Sequence, residues 1–144
     1  MPAPLSDISH VIQIAIAPVF LLTAVGTILN VLTGRLGRAV DRRRVLVSEI
    51  PKLDAALAEL ARQELEFEHQ RIRLVYIAIG LAVLCALLVC LLISIAFVDA
   101  FIAWDLGKLI TVLFVLALLA LTASLAVFMR EIFLAVSSVR APIR

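Results

Sequence analysis

An all-α polytopic membrane protein is the fold class this sequence predicts, and three observations predict it. The 144 residues are 64% hydrophobic with a mean hydropathy of +1.15, more apolar than a soluble domain of this length could bury. The apolar residues form three uninterrupted spans, at about 8–34, 74–97 and 109–129, each long enough to cross ~30 Å of hydrocarbon at ~1.5 Å per residue. The alternating segments of an outer-membrane barrel are absent.

The first span, from about Ile8 to Gly34, runs straight into RLGRAVDRRR. Ser6, Asp7 or Ser9 supplies the N-cap. Pro18 should kink the helix or free a carbonyl in its outer half. Gly34 and Gly37 are tolerable inside a helix and could hinge it. The helix is expected to stop near Glu49, since Pro51 disfavours the helical state for Ile50.

A second long helix is predicted from Lys52, with no stop signal before span two. Leu53, Leu57, Leu60, Phe67 and Leu74 follow a heptad-like spacing that also places Glu64 and Arg71 on the seam. Glu59–Arg62 and Glu68–Arg71 have the i,i+3 spacing of local ion pairs. The segment 35–73 thus reads as a helical hairpin between spans one and two. Tyr76 and Trp104 suit the two interfaces, and a short loop, Val98–Lys108, leads to span three. The tail after Met129 is briefly amphipathic and ends at Pro142. The whole chain, 1–144, reads as one membrane domain.

Charge placement sets the expected topology. Nine of thirteen Lys/Arg lie between Arg35 and Arg73, and Arg130, Arg140 and Arg144 close the chain. The positive-inside rule then puts the hairpin and the C-terminus in the cytoplasm and the N-terminus outside. Span one is too long for a signal-peptide core and is followed, not preceded, by its basic residues. Cys85 and Cys90, both in span two, read as packed apolar side chains.

The first span alone carries a polar stripe. At ~100° per residue Gln13, Thr27, Asn30 and Arg38 cluster on one face, with Thr23 and Asp41 at its edge and Gly34 filling a gap. Polar groups in hydrocarbon need partners or water, so helix one is expected innermost in a homo-oligomer. Two arrangements satisfy the stripe. Copies of helix one could line a water-filled pore through Gln13, Thr23, Thr27, Asn30, Gly34, Arg38 and Asp41. Alternatively the stripe is a dry packing face, with Asn30 or Gln13 bonding across helices. An Asp41–Arg salt bridge, within or between subunits, is the expected role of Asp41.

Arg35, Arg42, Arg43 and Arg44 lie just below the bilayer. They serve as the positive-inside anchor, and they are the candidate contacts for anionic lipid headgroups. Nucleic acid is not an expected partner, because the cluster sits at the membrane and is followed by a Glu-rich helix. No P-loop, nucleophile elbow or metal-spaced His/Cys set occurs, so no enzyme activity, cofactor or metal is expected. The functional expectation is an ion-conducting pore lined by helix 1. The alternative is a non-conducting scaffold or regulator that binds a protein partner or anionic lipid through its hairpin.

The AP pair near the start of span one, the segment RLGRAVDRRR (Arg35 to Arg44) and the order of spans resemble a family of small bacterial three-helix membrane proteins catalogued as a domain of unknown function. The similarity covers about Val11 to Met129. It implies a bacterial inner-membrane location and supports class and topology, with no activity to carry over.

Overall fold

Pro51 sets the first boundary of the fold. In the computed structural model, which describes residues 4–102 and 105–139, helix α1 runs from Pro4 to Glu49. A single 3-10 turn, Ile50–Lys52, then reverses the chain. Proline sits in the first turn of that 3-10 helix, where its missing N–H costs no hydrogen bond. Leu53 leaves in extended conformation and donates its N–H to the Ile50 carbonyl at 3.2 Å. Helix α2 therefore starts at Ala55 rather than Lys52 and continues to Ile102. Its first turn is closed by the Ala58 N–H on the Asp54 carbonyl at 2.8 Å.

The turn into α3 is shorter than the Val98–Lys108 loop the sequence suggests. Asp99, still on α2, accepts the Leu106 N–H on Oδ1 at 3.2 Å, and α3 begins at Gly107. It runs to Val139, ten residues beyond the expected end of span three. Neither Pro18 nor the Gly34–Gly37 pair interrupts α1. Trp104, Arg140, Pro142 and Arg144 fall outside the described residues, as does the side chain of Asp7. No strand occurs among the described residues.

All three helices are long and apolar enough to cross a membrane. They divide into two compact units. The first, residues 1–29 and 81–123, packs Val25 of α1 against Ala82, Cys85, Val89 and Leu92 of α2 and Leu113, Ala117 and Ala120 of α3. The alternating three- and four-residue steps are those of knobs-into-holes packing. Small residues dominate the seam and let the backbones approach. Apart from Leu92 and Leu113, large residues point away: Phe20, Leu87 and Leu119 are 73%, 62% and 59% exposed. So much outward aliphatic surface suits hydrocarbon and not water.

The second unit, residues 30–80 and 124–144, holds the antiparallel hairpin of α1 and α2 and the end of α3. Its buried residues are Leu32, Ala61, Ile72, Val75 and Ala78, with Ser124, Glu68 and Glu131. Here the heptad seam of α2 lies one residue on from the expected Leu57–Leu60–Phe67–Leu74 register. Leu53, Leu57 and Leu60 are exposed, and Ala61, Glu68 and Val75, each seven apart, are buried. The physical reason is that ion pairing and close backbone approach, rather than side-chain bulk, select the contact face. The Glu59–Arg62 and Glu68–Arg71 pairs form as their spacing predicts.

Candidate functional site: a chain of six charges and an exposed polar face

In the second unit, charged residues at seam positions link all three helices. Glu64 of α2 accepts from Arg42 of α1 (Nη2 to Oε1, 2.6 Å). Arg42 Nε also lies 3.8 Å from Glu68 Oε1, and Arg71 Nη1 donates to that same oxygen at 3.2 Å. Arg71 Nη2 donates to Glu131 Oε1 of α3 at 3.1 Å. Arg35 of α1 donates to Glu131 Oε2, also at 3.1 Å. Arg35 further lies over the Phe128 ring, 5.1 Å from its centroid, within cation–π range.

The order Glu64–Arg42–Glu68–Arg71–Glu131–Arg35 alternates in sign and sums to zero charge. Its Arg42–Glu64 end is open, with side chains 64% and 42% exposed, whereas Glu131 is nine-tenths buried. Burying such ions is not a large net source of stability, because desolvation offsets the attraction. Its effect is on register. Seams of repeating alanine and aliphatic residues could slide by a heptad, and paired charges at seam positions admit one alignment. Glu68 Oε2 and Arg71 Nε remain buried without a hydrogen-bond partner among the described residues.

Above this chain of charges, Ser124 Oγ donates to the Ala78 carbonyl at 2.7 Å in a fully buried contact. Glu68, Glu131 and Ser124 were not singled out as site residues from sequence. Their signal was available: Ala117, Ser124 and Glu131 recur every seven residues on α3, as Ala61, Glu68 and Val75 do on α2. Small and polar residues at that period mark a membrane helix seam.

The stripe residues lie elsewhere. Gln13, Thr23 and Thr27 in the first unit, and Asn30, Gly34, Arg38 and Asp41 in the second, are all exposed. Thr23 and Thr27 spend their hydroxyls on the carbonyls four residues back, of Val19 and Thr23, at 3.3 and 3.2 Å. The carboxamides of Gln13 and Asn30 bond to nothing among the described residues, and Asp41 forms no salt bridge there. Within the chain α2 is the most covered helix: 28% of its apolar window is buried, against 11% for α1. Of the four arginines read as lipid contacts, Arg35 and Arg42 are engaged by carboxylates, and Arg43 and Arg44 are exposed. No group of three His, Cys, Asp or Glu that could hold a metal occurs among the described residues.

Three apolar helices of spanning length, outward aliphatic surfaces and charges confined to the ends of the apolar stretches define an integral membrane protein with three candidate spans. A family model described as "Protein of unknown function (DUF2721)" matches residues 15–141. The chain belongs to that family. No curated protein and no solved structure matches it.

Proposed function

We propose that the protein is a homo-oligomer of the bacterial inner membrane, N-terminus outside and C-terminus cytoplasmic, whose α1 helices turn their polar faces to a common axis and enclose a small ion-conducting pore. One observation carries this reading. The polar face of α1 is left exposed by α2 and α3, and the Gln13 and Asn30 carboxamides bond to nothing among the described residues. Such groups do not stay bare in hydrocarbon; copies of α1 around water would solvate them. Arg38 and Asp41 would then ring the cytoplasmic mouth. The deciding experiment is the subunit count of the purified protein by native mass spectrometry from mild detergent, followed by ion flux from reconstituted liposomes. A monomer or dimer overturns the pore, because too few helices remain to surround water. A closed assembly of four or more without flux reassigns the stripe to dry packing.

A second reading has its own observation. Val45, Val47, Leu57 and Leu60 are each at least half exposed on the hairpin, beyond the uncharged stretches that hydrocarbon would cover. Uncovered aliphatic residues there suit a non-conducting scaffold or regulator that docks a cytoplasmic protein. Leu57→Gln with Leu60→Gln leaves the six-charge chain intact, and it should abolish capture of such a partner without altering the subunit count.

A further inference from the structure

Two contacts in the second unit act as a depth gauge. Ser124 meets Ala78, and Glu131 meets Arg71; the residues are seven apart on both helices, so the two contacts are ~10 Å apart along the axes. The upper contact lies in stretches without charge, 74–98 on α2 and 109–129 on α3. The lower one is a full ion-pair layer. The hydrocarbon boundary on the basic side therefore falls between them, where Tyr76 is 57% exposed, as interfacial aromatics are.

Three further arginines flank the lower layer, one on each helix, and all are exposed: Arg38 on α1, Arg73 on α2 and Arg130 on α3. None forms an ion pair among the described residues, whereas Arg35, Arg42 and Arg71 of the same unit all do. Counting from the Arg35–Glu131–Arg71 layer, their Cα positions span a band of only ~8 Å. Side chains lean toward the N-terminus of their own helix. That direction carries Arg38 and Arg130 toward the apolar stretch, and Arg73, on the antiparallel α2, away from it. The lean moves Arg38 and Arg130 together and Arg73 the opposite way, so the three guanidiniums stay within a band on the order of 10 Å. Arg38 displays the effect directly, because its Nη1 reaches back to within 3.9 Å of where a Cβ on Gly34 would stand.

We propose that Arg38, Arg73 and Arg130 form a belt that binds the phosphate headgroups of anionic phospholipids in the inner leaflet. None of the three arginines is ion-paired among the described residues, and each presents a bidentate donor near headgroup depth. It differs from a purely topological anchor, which needs positive charge on the loops but no common depth. Arg43 and Arg44 lie on the order of 12 Å below the layer, about a Debye length or more away, and contribute less. The belt does not need α1 to conduct, but it requires Arg38 to face lipid and so excludes Arg38 from the mouth of such a pore.

The test uses the full-length protein in nanodiscs of phosphatidylcholine with and without phosphatidylglycerol, with lipids retained after mild release counted by native mass spectrometry. The wild type should retain phosphatidylglycerol in preference to phosphatidylcholine. Arg38→Gln, Arg73→Gln and Arg130→Gln should each lower that preference about five-fold, the equivalent of ~1 kcal/mol per basic residue at the surface. Arg43→Gln with Arg44→Gln should lower it less than any of these single changes. Single substitutions keep two belt residues in place, so the result does not hang on a triple variant inserting correctly. No headgroup preference in the wild type would reduce the belt to an orientation signal. Equal or greater loss in the Arg43/Arg44 variant would replace the belt with diffuse attraction, and either result overturns the proposal.

Discussion

Arg71 and Glu131 meet at 3.1 Å from opposite helix seams, and Glu131 is the only carboxylate through which α3 reaches the charges of α1 and α2. Both oxygens of Glu131 are engaged, one by each arginine. Glu131→Gln removes the charge but leaves Arg35 and Arg71 facing an amide. Breaking a buried pair from one side costs about 3–5 kcal/mol, with the lower end expected because Arg35 is partly exposed. Glu59→Gln, at the surface pair with Arg62, should cost under about 1 kcal/mol. Thermal unfolding in detergent compares the two, and equal losses would mean that the buried chain of charges is dispensable.

Ser124 offers a finer measurement. Its hydroxyl bond to the Ala78 carbonyl is fully buried, so Ser124→Ala should cost about 0.6 to 1.7 kcal/mol, the range for interhelical bonds in membranes. Ser124→Leu should cost more, because no space exists for the added methylenes. If leucine proves as stable as alanine in the same unfolding assay, the helices do not approach as closely as described.

Alanine at the seam of the first unit makes a related prediction. Ala82 and Ala117 are fully buried, and leucine at either position should force α2 and α3 apart at a cost of about 1–3 kcal/mol. The outward Leu87→Ala, which faces the lipid side, should change stability by less. Reversal of that order would place the seam on the leucine face.

Solvent access separates the two uses of the α1 stripe. In a background with Cys90→Ser, cysteines at Thr27 and Asn30 should react with a membrane-impermeant thiol reagent if they face water in the assembly. Cysteines at Ile28 and Leu29, both part-buried and off the stripe, should stay protected. Protection at all four positions would assign the stripe to dry helix packing.

The helix content was legible in the sequence because hydropathy and proline placement act locally. Glu49 ends α1 where Pro51 requires, and the three apolar spans all lie within helices. The contact face of α2 was legible in part: Glu64 and Arg71, which the spacing puts on the seam, make interhelical ion pairs, whereas the first three leucines of that register are exposed. Leucines at 53, 57 and 60 imitate a soluble heptad, yet the helices meet through Ala61, Glu68 and Val75. Those leucines lie beyond the hydrocarbon, where ion pairs select the contact face; within the spans, where the outer solvent is hydrocarbon, bulk and apolarity no longer distinguish inside from outside. Small and paired polar residues carry that information instead. The fate of the stripe depends on surfaces beyond one chain, and intrachain geometry tells only that α2 and α3 leave it bare.

The alternating order of the six charges also has a consequence for biosynthesis. Helices leave the ribosome in sequence, and α3 is last. Until it inserts, Arg35 lacks its carboxylate and Arg71 holds only Glu68. A two-helix intermediate therefore carries an uncompensated cation at the membrane boundary, and arrival of Glu131 neutralises it.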